Sequence, residues 1–415
     1  MLNQHVLIIG TVWVEPNSSA AGGRMLQLIK LFLAQHWQVT FACASQKSTK
    51  ETSLTELGVK EVSIQLNSSS FDDFLNELQP TIVMFDRFMI EEQFGWRVAE
   101  HCPNALRILD TEDLHFLRKV RHQQYKKGED FSNEALLKAE DTKREIAAIL
   151  RCDLSLIISS YEMELLKNLF KIDESLLYYL PFLFNKIDAS KTQKWQSFED
   201  RKGFVFIGNF YHKPNIDAVV TLKKQIWSTI KKQLPNAEMH IYGAYVNQQI
   251  KELDNAKEGF LIKGFAKNSK SVISKARVVL APLNFGAGIK GKLTEAMICG
   301  TPSITSKIGA EGMHENLSWN GFIENDYKQF AKKAIELYTN KNSWEQSQKN
   351  GIEIINQIYD KDKLELPFIN RIKQLQVTIE QHRTKNFLGR LLQHQTLQAT
   401  KYMNKWIEEK NKPNM

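Results

Sequence analysis

The chain has 415 residues, 42% of them hydrophobic and 25% charged, with only 20 glycines and 10 prolines. At roughly 150 residues per domain it holds two or three domains, and this composition excludes a globally disordered or fibrous chain. The net charge is +8, but residues 361–415 carry eleven Lys/Arg against five Asp/Glu. The remaining body is therefore near neutral, which excludes a nucleic-acid binder with a basic stripe on its main fold.

Short apolar, β-branched runs alternate with longer amphipathic stretches. HVLIIGTVW (5–13) predicts a strand, EPNSSAAGG a polar loop, 24–35 a helix and WQVTFACAS (37–45) a strand. PTIVMFD (80–86) and ALRILD (105–110) predict further strands, 132–150 a helix and DLSLIISS (153–160) a buried strand. Ser159 and Glu162 have the spacing of a capping box opening the next helix. The polar stretch 185–203 reads as a domain linker. A second alternation follows: GFVFIG (203–208), a helix from Asn215, AEMHIYGA (237–244), GFLIKGF (259–265), ARVVLAPL (276–283), a helix over 288–299, PSITS (302–306), GFIEN (321–325) and two helices.

The alternation predicts an α/β protein with two Rossmann-like, doubly wound domains facing across a cleft, plus a C-terminal helical tail. Domains are expected at 1–188 and 200–360. Residues 361–415 are expected to return to the N-domain as a helical segment and to end in a basic amphipathic tail. Open α/β sheets bind ligands at the carboxyl ends of their strands, so a ligand shared between domains is expected. No run approaches about 18 uninterrupted apolar residues, so no transmembrane helix is expected. MLNQHVLIIG lacks a basic n-region and a cleavage site, so no signal peptide is expected. Cys43, Cys102, Cys152 and Cys299 are isolated; neither a disulfide framework nor a zinc site is expected, and a reduced, cytoplasmic compartment fits.

The stretch LNFGAGIKGKLTEAMICGTPSITSKIGAEGM (283–313) crosses Gly286, Gly288 and Gly291 and enters a helix carrying Lys290, Lys292 and Glu295. Glycines let backbone N–H groups approach a ligand closely. A helix N-terminus and two lysines suit a diphosphate. Glu295, one turn beyond Lys292, shares its face and suits paired ribose hydroxyls. The alternative is a tight turn with a solvated Lys/Glu helix start.

This pattern resembles the nucleotide-sugar signature of GT-B glycosyltransferases, specifically the retaining family 4 (glycosyl transferases group 1) of a bacterial branch. FVFIGNFYHKPNIDAVV (204–220) is similar to the opening of that family's C-terminal domain. SSAAGGRM (18–25) and LDTEDLHFLR (109–118) resemble its N-terminal pieces. The resemblance implies hexosyl transfer from a nucleoside-diphosphate sugar to a hydroxyl of a saccharide or lipid-linked saccharide, with retention, in surface polysaccharide biosynthesis. It implies an acceptor-side N-domain and a donor-binding C-domain, with no cofactor or metal. Glu295 would hold the donor ribose. Lys290, Lys292 and the backbone at Gly286 and Gly288 would hold the diphosphate, with Gly208, Asn209 and His212 on the facing loop. Gly264 and Phe265 would lie near the base, and Glu311 near the donor sugar. Gly22, Gly23 and Arg24 would bring the first N-domain loop to the phosphate or acceptor. The chain departs from the family at three places. Ala287 stands where the first glutamate of the E-x7-E pattern falls, Asn209 replaces an arginine, and Pro214 replaces a lysine, with Lys213 adjacent.

Asp110, Glu112, Asp113, His115 and Arg118 gather after a strand. Asp113 or His115 would orient the acceptor hydroxyl or the donor sugar, and Arg118 would anchor an acidic acceptor; the alternative is a helix start capped by Asp113. Asp86 and Arg87 end another strand, as acceptor contacts or as a structural ion pair. His212 is either a phosphate contact or a surface histidine. The tail 386–410 places apolar residues near helical spacing among basic ones. It reads either as a peripheral contact with the inner membrane face or as a helix docking on protein. Other function classes stay open: a nucleotide-sugar epimerase, or a non-catalytic nucleotide- or glycan-binding scaffold. A nicotinamide-dependent dehydrogenase is disfavoured because the loop after the first strand lacks GxGxxG.

Overall fold

The computed structural model describes residues 4–47 and 51–394, together with 399, 402, 403 and 406. Two parallel sheets organise it. The first contains β1 (His5–Gly10), β2 (Gln38–Cys43), β3 (Lys60–Ser63), β4 (Ile82–Asp86), β5 (Leu106–Asp110), β6 (Leu154–Ile157) and β7 (Leu177–Tyr179), in the order β3-β2-β1-β4-β5-β6-β7. The second contains β8 (Phe204–Ile207), β9 (Met239–Tyr242), β10 (Phe260–Gly264), β11 (Val278–Ala281), β12 (Ser303–Thr305) and β13 (Gly321–Ile323), in the order β10-β9-β8-β11-β12-β13. The central strands β1, β4, β5 and β11 are buried on both faces, which is why they read as unbroken apolar runs. Strands β3 and β7 escaped the sequence reading. Each is a short edge strand with one neighbour, and KEVS and LYY carry little apolar signal.

Helices that position the cleft are α1 (Ala20–Ala34), α2 (Phe88–His101), α3 (His115–Lys127), α4 (Ser160–Asn168), α5 (Lys213–Thr221), α6 (Gly291–Ile298), α7 (Lys341–Ile358), α8 (Lys361–Val377) and α9 (Phe387–Gln393). Several expectations are corrected. The loop expected through Gly22 and Gly23 is already helix, because Ser19 caps α1 by accepting the Gly22 N–H at 3.0 Å. The helix expected over 132–150 breaks at Ala139, which is extended; the Thr142 hydroxyl covers the freed Leu136 carbonyl at 2.6 Å. Ser159 makes no side-chain cap, and Glu162 turns away from it, so the capping box does not form. The segment 185–203 runs between the two sheets, mostly exposed but anchored near its end. Arg201 is fully buried and donates to Thr301 Oγ1, the Cys299 carbonyl and the Gln196 carbonyl at 2.6, 2.9 and 3.0 Å.

The chain crosses between domains twice at one place. The Phe184 N–H donates to the Tyr359 carbonyl at 2.8 Å and Lys361 N–H to the Phe184 carbonyl at 2.9 Å. Beyond it, Phe368, Ile369, Ile372 and Leu375 of α8 bury in the core formed by Val6, Ile8, Leu28 and Phe32 of the first sheet's layer. Helix α9 docks on the N-domain, with Asn386 Nδ2 donating to the Leu150 carbonyl at 2.7 Å. It leaves Phe387, Leu388 and Leu391 exposed. Most of the tail beyond 394 lies outside the described residues.

One buried ion pair ties α1 to β5 and to the crossover. Arg24 is 1% exposed and Asp110 0%. Arg24 Nε and Nη2 lie 3.0 and 2.9 Å from Asp110 Oδ1, and Nη1 donates to the Leu180 carbonyl at 2.7 Å. Removing one member leaves an uncompensated buried charge. Arg24→Met is expected to cost about 3–5 kcal/mol of N-domain stability, read as a lowered urea midpoint. An unchanged midpoint would show that the pair carries no such load.

Candidate active site

In each sheet the strand order reverses next to its first strand, between β1 and β4 and between β8 and β11. Loops leaving the carboxyl ends on either side of such a switch point diverge and open a crevice. The two crevices face each other and enclose a cavity of about 560 Å3. The loops after β1, β4, β5 and β7 line it from one domain, and those after β8, β9, β10 and β11 from the other.

The C-domain wall is the start of α6. Lys290, 8% exposed, is its N-cap residue, and its Nζ donates to the Gly288 carbonyl at 2.8 Å. Lys292 Nζ donates to Asn215 Oδ1 at 2.6 Å and sits 4.9 Å from the centre of the Phe206 ring. Burial lowers the Lys290 ammonium to about 8. Burial, then the charge of Lys290, lower Lys292 to about 7, with Glu295 opposing. Glu295 is pushed up by burial and held in place by the Ser269 hydroxyl at 3.1 Å. Gly208, Asn209, His212, Phe265, Gly286 and Glu295 all reach the cavity. Arg118 Nη1 donates to His212 Nδ1 at 3.3 Å, so this exposed histidine bridges the domains.

The N-domain wall concentrates charge. Asp113 pairs with Arg118 Nε at 3.1 Å. Burial works against its charge, but Arg118, His115 and His212 outweigh it and hold the carboxyl below its usual value. His115 Nδ1 is anchored 3.1 Å from the Asp113 carbonyl and 3.7 Å from Glu145 Oε1. Arg87 and Glu112 line the same wall with φ of +75° and +62°, a region disfavoured for side-chain-bearing residues. Burial, then the charge of Asp110, push the Glu112 carboxyl well up. Two strained residues at adjacent strand ends fit a site held in place by its surroundings.

Other expected site residues lie elsewhere. Arg24 is consumed by Asp110. Gly22 packs against the Glu15 backbone inside α1, while Gly23 reaches the cavity. Asp86 is 5% exposed behind the wall, accepting the Thr11 N–H at 2.9 Å. Gly264 ends β10 outside the lining. Leu114, not Asp113, is the N-cap position of α3. Gly288 turns its N–H to Glu162 Oε1 at 2.8 Å, away from any ligand. Glu311 is taken by Arg121 of α3 in a bidentate pair at 2.6 and 2.9 Å and does not line the cavity. Sequence reading missed Asn215, Asn268, Ser269 and Tyr245. The last, at φ +58°, donates its hydroxyl to Glu15 across the cleft at 3.0 Å and stacks on Tyr211. Among the described residues, no group of three or more His, Cys, Asp or Glu is placed to hold a metal.

Residues 201–340 match the family model for glycosyl transferases group 1. The chain is 22% identical over 191 residues to an uncharacterized 44.6 kDa protein in the cps region of Klebsiella pneumoniae. That match covers 44% of this chain and spans 47% of the relative, about half its length. Sucrose-phosphate synthase from Thermosynechococcus elongatus superposes over 90% of this chain and 99% of its own, with TM-score 0.65 and 15% identity. A variant of S. aureus TarM, solved with fondaparinux, alpha-GlcNAc-glycerol and UDP, covers 89% and 99% with TM-score 0.68 and 12% identity. Anabaena HepE, solved with UDP and glucose, covers 89% and 99% with TM-score 0.63 and 13% identity. The chain has the GT-B fold. Its second sheet, from β8 to β13, lies within the matched family segment, so in this GT-B chain the two lysines and Glu295 belong to the part that the family model describes. The matched domain and the fold support glycosyl transfer.

Burying Lys290 and Lys292 in the cleft disfavours their charged forms. Lys292 titrates lower in the folded chain than in the unfolded one, so the unfolded chain binds more protons above about pH 7. Stability is therefore expected to rise as pH climbs from 7 toward 9, and to rise less in Lys292→Met. At pH 7 that variant is expected to keep or raise its melting temperature, by roughly 2–4 °C for each kcal/mol relieved. A fall of several degrees in differential scanning would instead show the ammonium to be a structural prop.

Proposed function

We propose that the chain transfers a hexosyl group from a nucleoside-diphosphate sugar to a hydroxyl of a saccharide or lipid-linked saccharide, with retention of configuration, as a family-4-type enzyme. The observation that carries the reading is the start of α6. There a helix N-terminus, Lys290 and Lys292 share one cavity wall with Glu295. The diphosphate sits against the lysines and the helix end, and Glu295 accepts from the ribose hydroxyls. The sugar then points toward the N-domain wall.

Ala287 brings no acid to the loop, but an acid of the other domain lies against it. A Cβ on Gly288 would lie 2.7 Å from Asp113 Cβ, so Asp113 packs directly on the glycine loop. Asp113 and His115 orient the sugar and the acceptor hydroxyl. As the sugar C1–O bond breaks, its electron pair goes to the departing phosphate oxygen, where Lys290 and Lys292 meet the charge. The acceptor oxygen bonds to C1 from the same face, and its proton passes to that phosphate oxygen. Stabilisation that grows as charge develops favours the transition state. Domain closure keeps water from the donor. Asn209 and Pro214 carry no charge, which leaves the diphosphate to the two lysines of the glycine loop. The cps-region relative fits a role in polysaccharide biosynthesis. The exposed apolar face of α9 and the basic tail fit peripheral contact with the inner face of the membrane from the cytoplasm.

The test is a panel of UDP, GDP and dTDP with wild type, Lys292→Ala and Glu295→Ala. One diphosphate is expected to stabilise wild type by about 2.7 kcal/mol at a hundredfold excess over Kd and neither variant. Because binding recharges Lys292 and, in part, Lys290, calorimetry of wild type at pH 8 in two buffers of different ionisation enthalpy should show net proton uptake. Turnover of the matching sugar donor, with the product anomer assigned by NMR, then checks transfer and retention. No stabilisation by any of the three would overturn the donor site.

A further inference from the structure

Glu162 of the N-domain reaches into the C-domain's glycine loop. It is 1% exposed, on α4. Its Oε1 accepts two backbone N–H groups, Leu114 at 3.1 Å within its own domain and Gly288 at 2.8 Å in the other. Oε2 is buried and accepts no hydrogen bond from the described residues. In sequence Glu162 sits where a capping box would return it to Ser159. A free cap is worth about 1 kcal/mol, yet the helix forgoes it and the carboxyl crosses the domain boundary.

The consequence runs through one residue. Gly288 has φ +62° and no room for a Cβ. Its N–H is held by Glu162, and its carbonyl holds the Lys290 ammonium at 2.8 Å. Arg121 Nη1 donates to the Gly286 carbonyl at 2.9 Å and adds a second N-domain hold two residues earlier. Losing the Glu162 acceptor when the domains part would remove a restraint from the backbone turn at Gly288, whose carbonyl on the following peptide holds Lys290.

We propose that Glu162 is a positioning residue: through Gly288 it sets Lys290 in the geometry that receives the donor diphosphate, and only when the two domains are closed. This rests on the reading of the cleft as a glycosyl-transfer site. Glu162 acts through a backbone N–H and so touches neither donor nor acceptor. The requirement is an acceptor atom at the position of Oε1, not a charge. Burial and the neighbouring charge of Asp113 both favour the uncharged acid, so glutamine is the faithful replacement. Aspartate, one methylene shorter, keeps the carboxyl but cannot span both N–H groups.

Glu162→Gln, Glu162→Asp and Glu162→Ala are compared with wild type in steady-state assays, using the nucleoside-diphosphate sugar that wild type turns over. Leaving a buried N–H without its partner is worth roughly 10–100-fold. Asp and Ala are therefore expected to raise the donor KM by about that factor while the acceptor KM stays within about threefold. Gln is expected to restore the donor KM. Calorimetric affinity for the matching nucleoside diphosphate is expected to follow the same order. If Ala does not fold, the Asp and Gln pair decides. Asp with a wild-type donor KM, or Gln as impaired as Asp, overturns the positioning role. So does an equal loss in donor and acceptor KM that follows melting temperature alone. Absence of nucleotide binding and turnover in wild type would instead overturn the functional reading, and the positioning role with it.

Discussion

The Arg24–Asp110 pair, 86 residues apart in the chain, is the interaction on which the cleft depends. Asp110 is the last residue of β5, and Glu112 and Asp113 just beyond it form part of the cavity wall. Arg24 also takes the Leu180 carbonyl, next to the segment that leads to the C-domain. One guanidinium therefore fixes the first helix, the acidic loop and the approach to the crossover. Full burial makes the pair unforgiving: its desolvation is compensated only while all partners are in place.

Around that anchor the cleft collects features that do not stabilise a fold. Lys290 and Lys292 are buried near each other with their charges disfavoured. Glu112 and Arg87 hold backbone conformations that side chains resist. Such costs persist where the rest of the structure over-determines them. Here the over-determination comes from two large parallel sheets, each with apolar cores on both faces. The strain falls at the strand ends, where the scaffold is rigid and the loops are free to specialise.

The domains are held together by side chains whose roles are not local. Arg121 pairs with Glu311 at a separation of 190 residues, Glu162 reaches Gly288 at 126, and Tyr245 reaches Glu15 at 230. Each couples the glycine loop, or the loops facing it, to the opposite domain. These polar contacts at the cavity rim add to apolar packing across the boundary, such as Ile158 and Phe182 in the C-domain's core cluster and His122 stacked on Phe285. The polar contacts can be made and broken with water as the competing partner.

How much of this was legible follows from the range over which each feature is specified. The β/α alternation was readable because a parallel strand buried on both faces needs a contiguous apolar run, as in VLII and ILD. The glycine–lysine–glutamate stretch was readable because a strand end, a tight turn and a helix N-terminus are consecutive in the chain. The edge strands β3 and β7 were not, since their pairing comes from a neighbour's register rather than from their own residues. The resemblance placed Glu311, Gly288 and Arg24 at a ligand, yet the structure gives their polar groups to distant protein partners. Glu162 shows the limit most directly. Its spacing from Ser159 satisfies a local rule, but a stronger acceptor role existed across the domain boundary. The sequence by itself determined two doubly wound domains and the glycine- and lysine-bearing turn between β11 and α6. Only the tertiary structure decided which charges face the cavity and which are satisfied by protein, because that choice depends on groups 86 to 190 residues apart competing for the same hydrogen bonds.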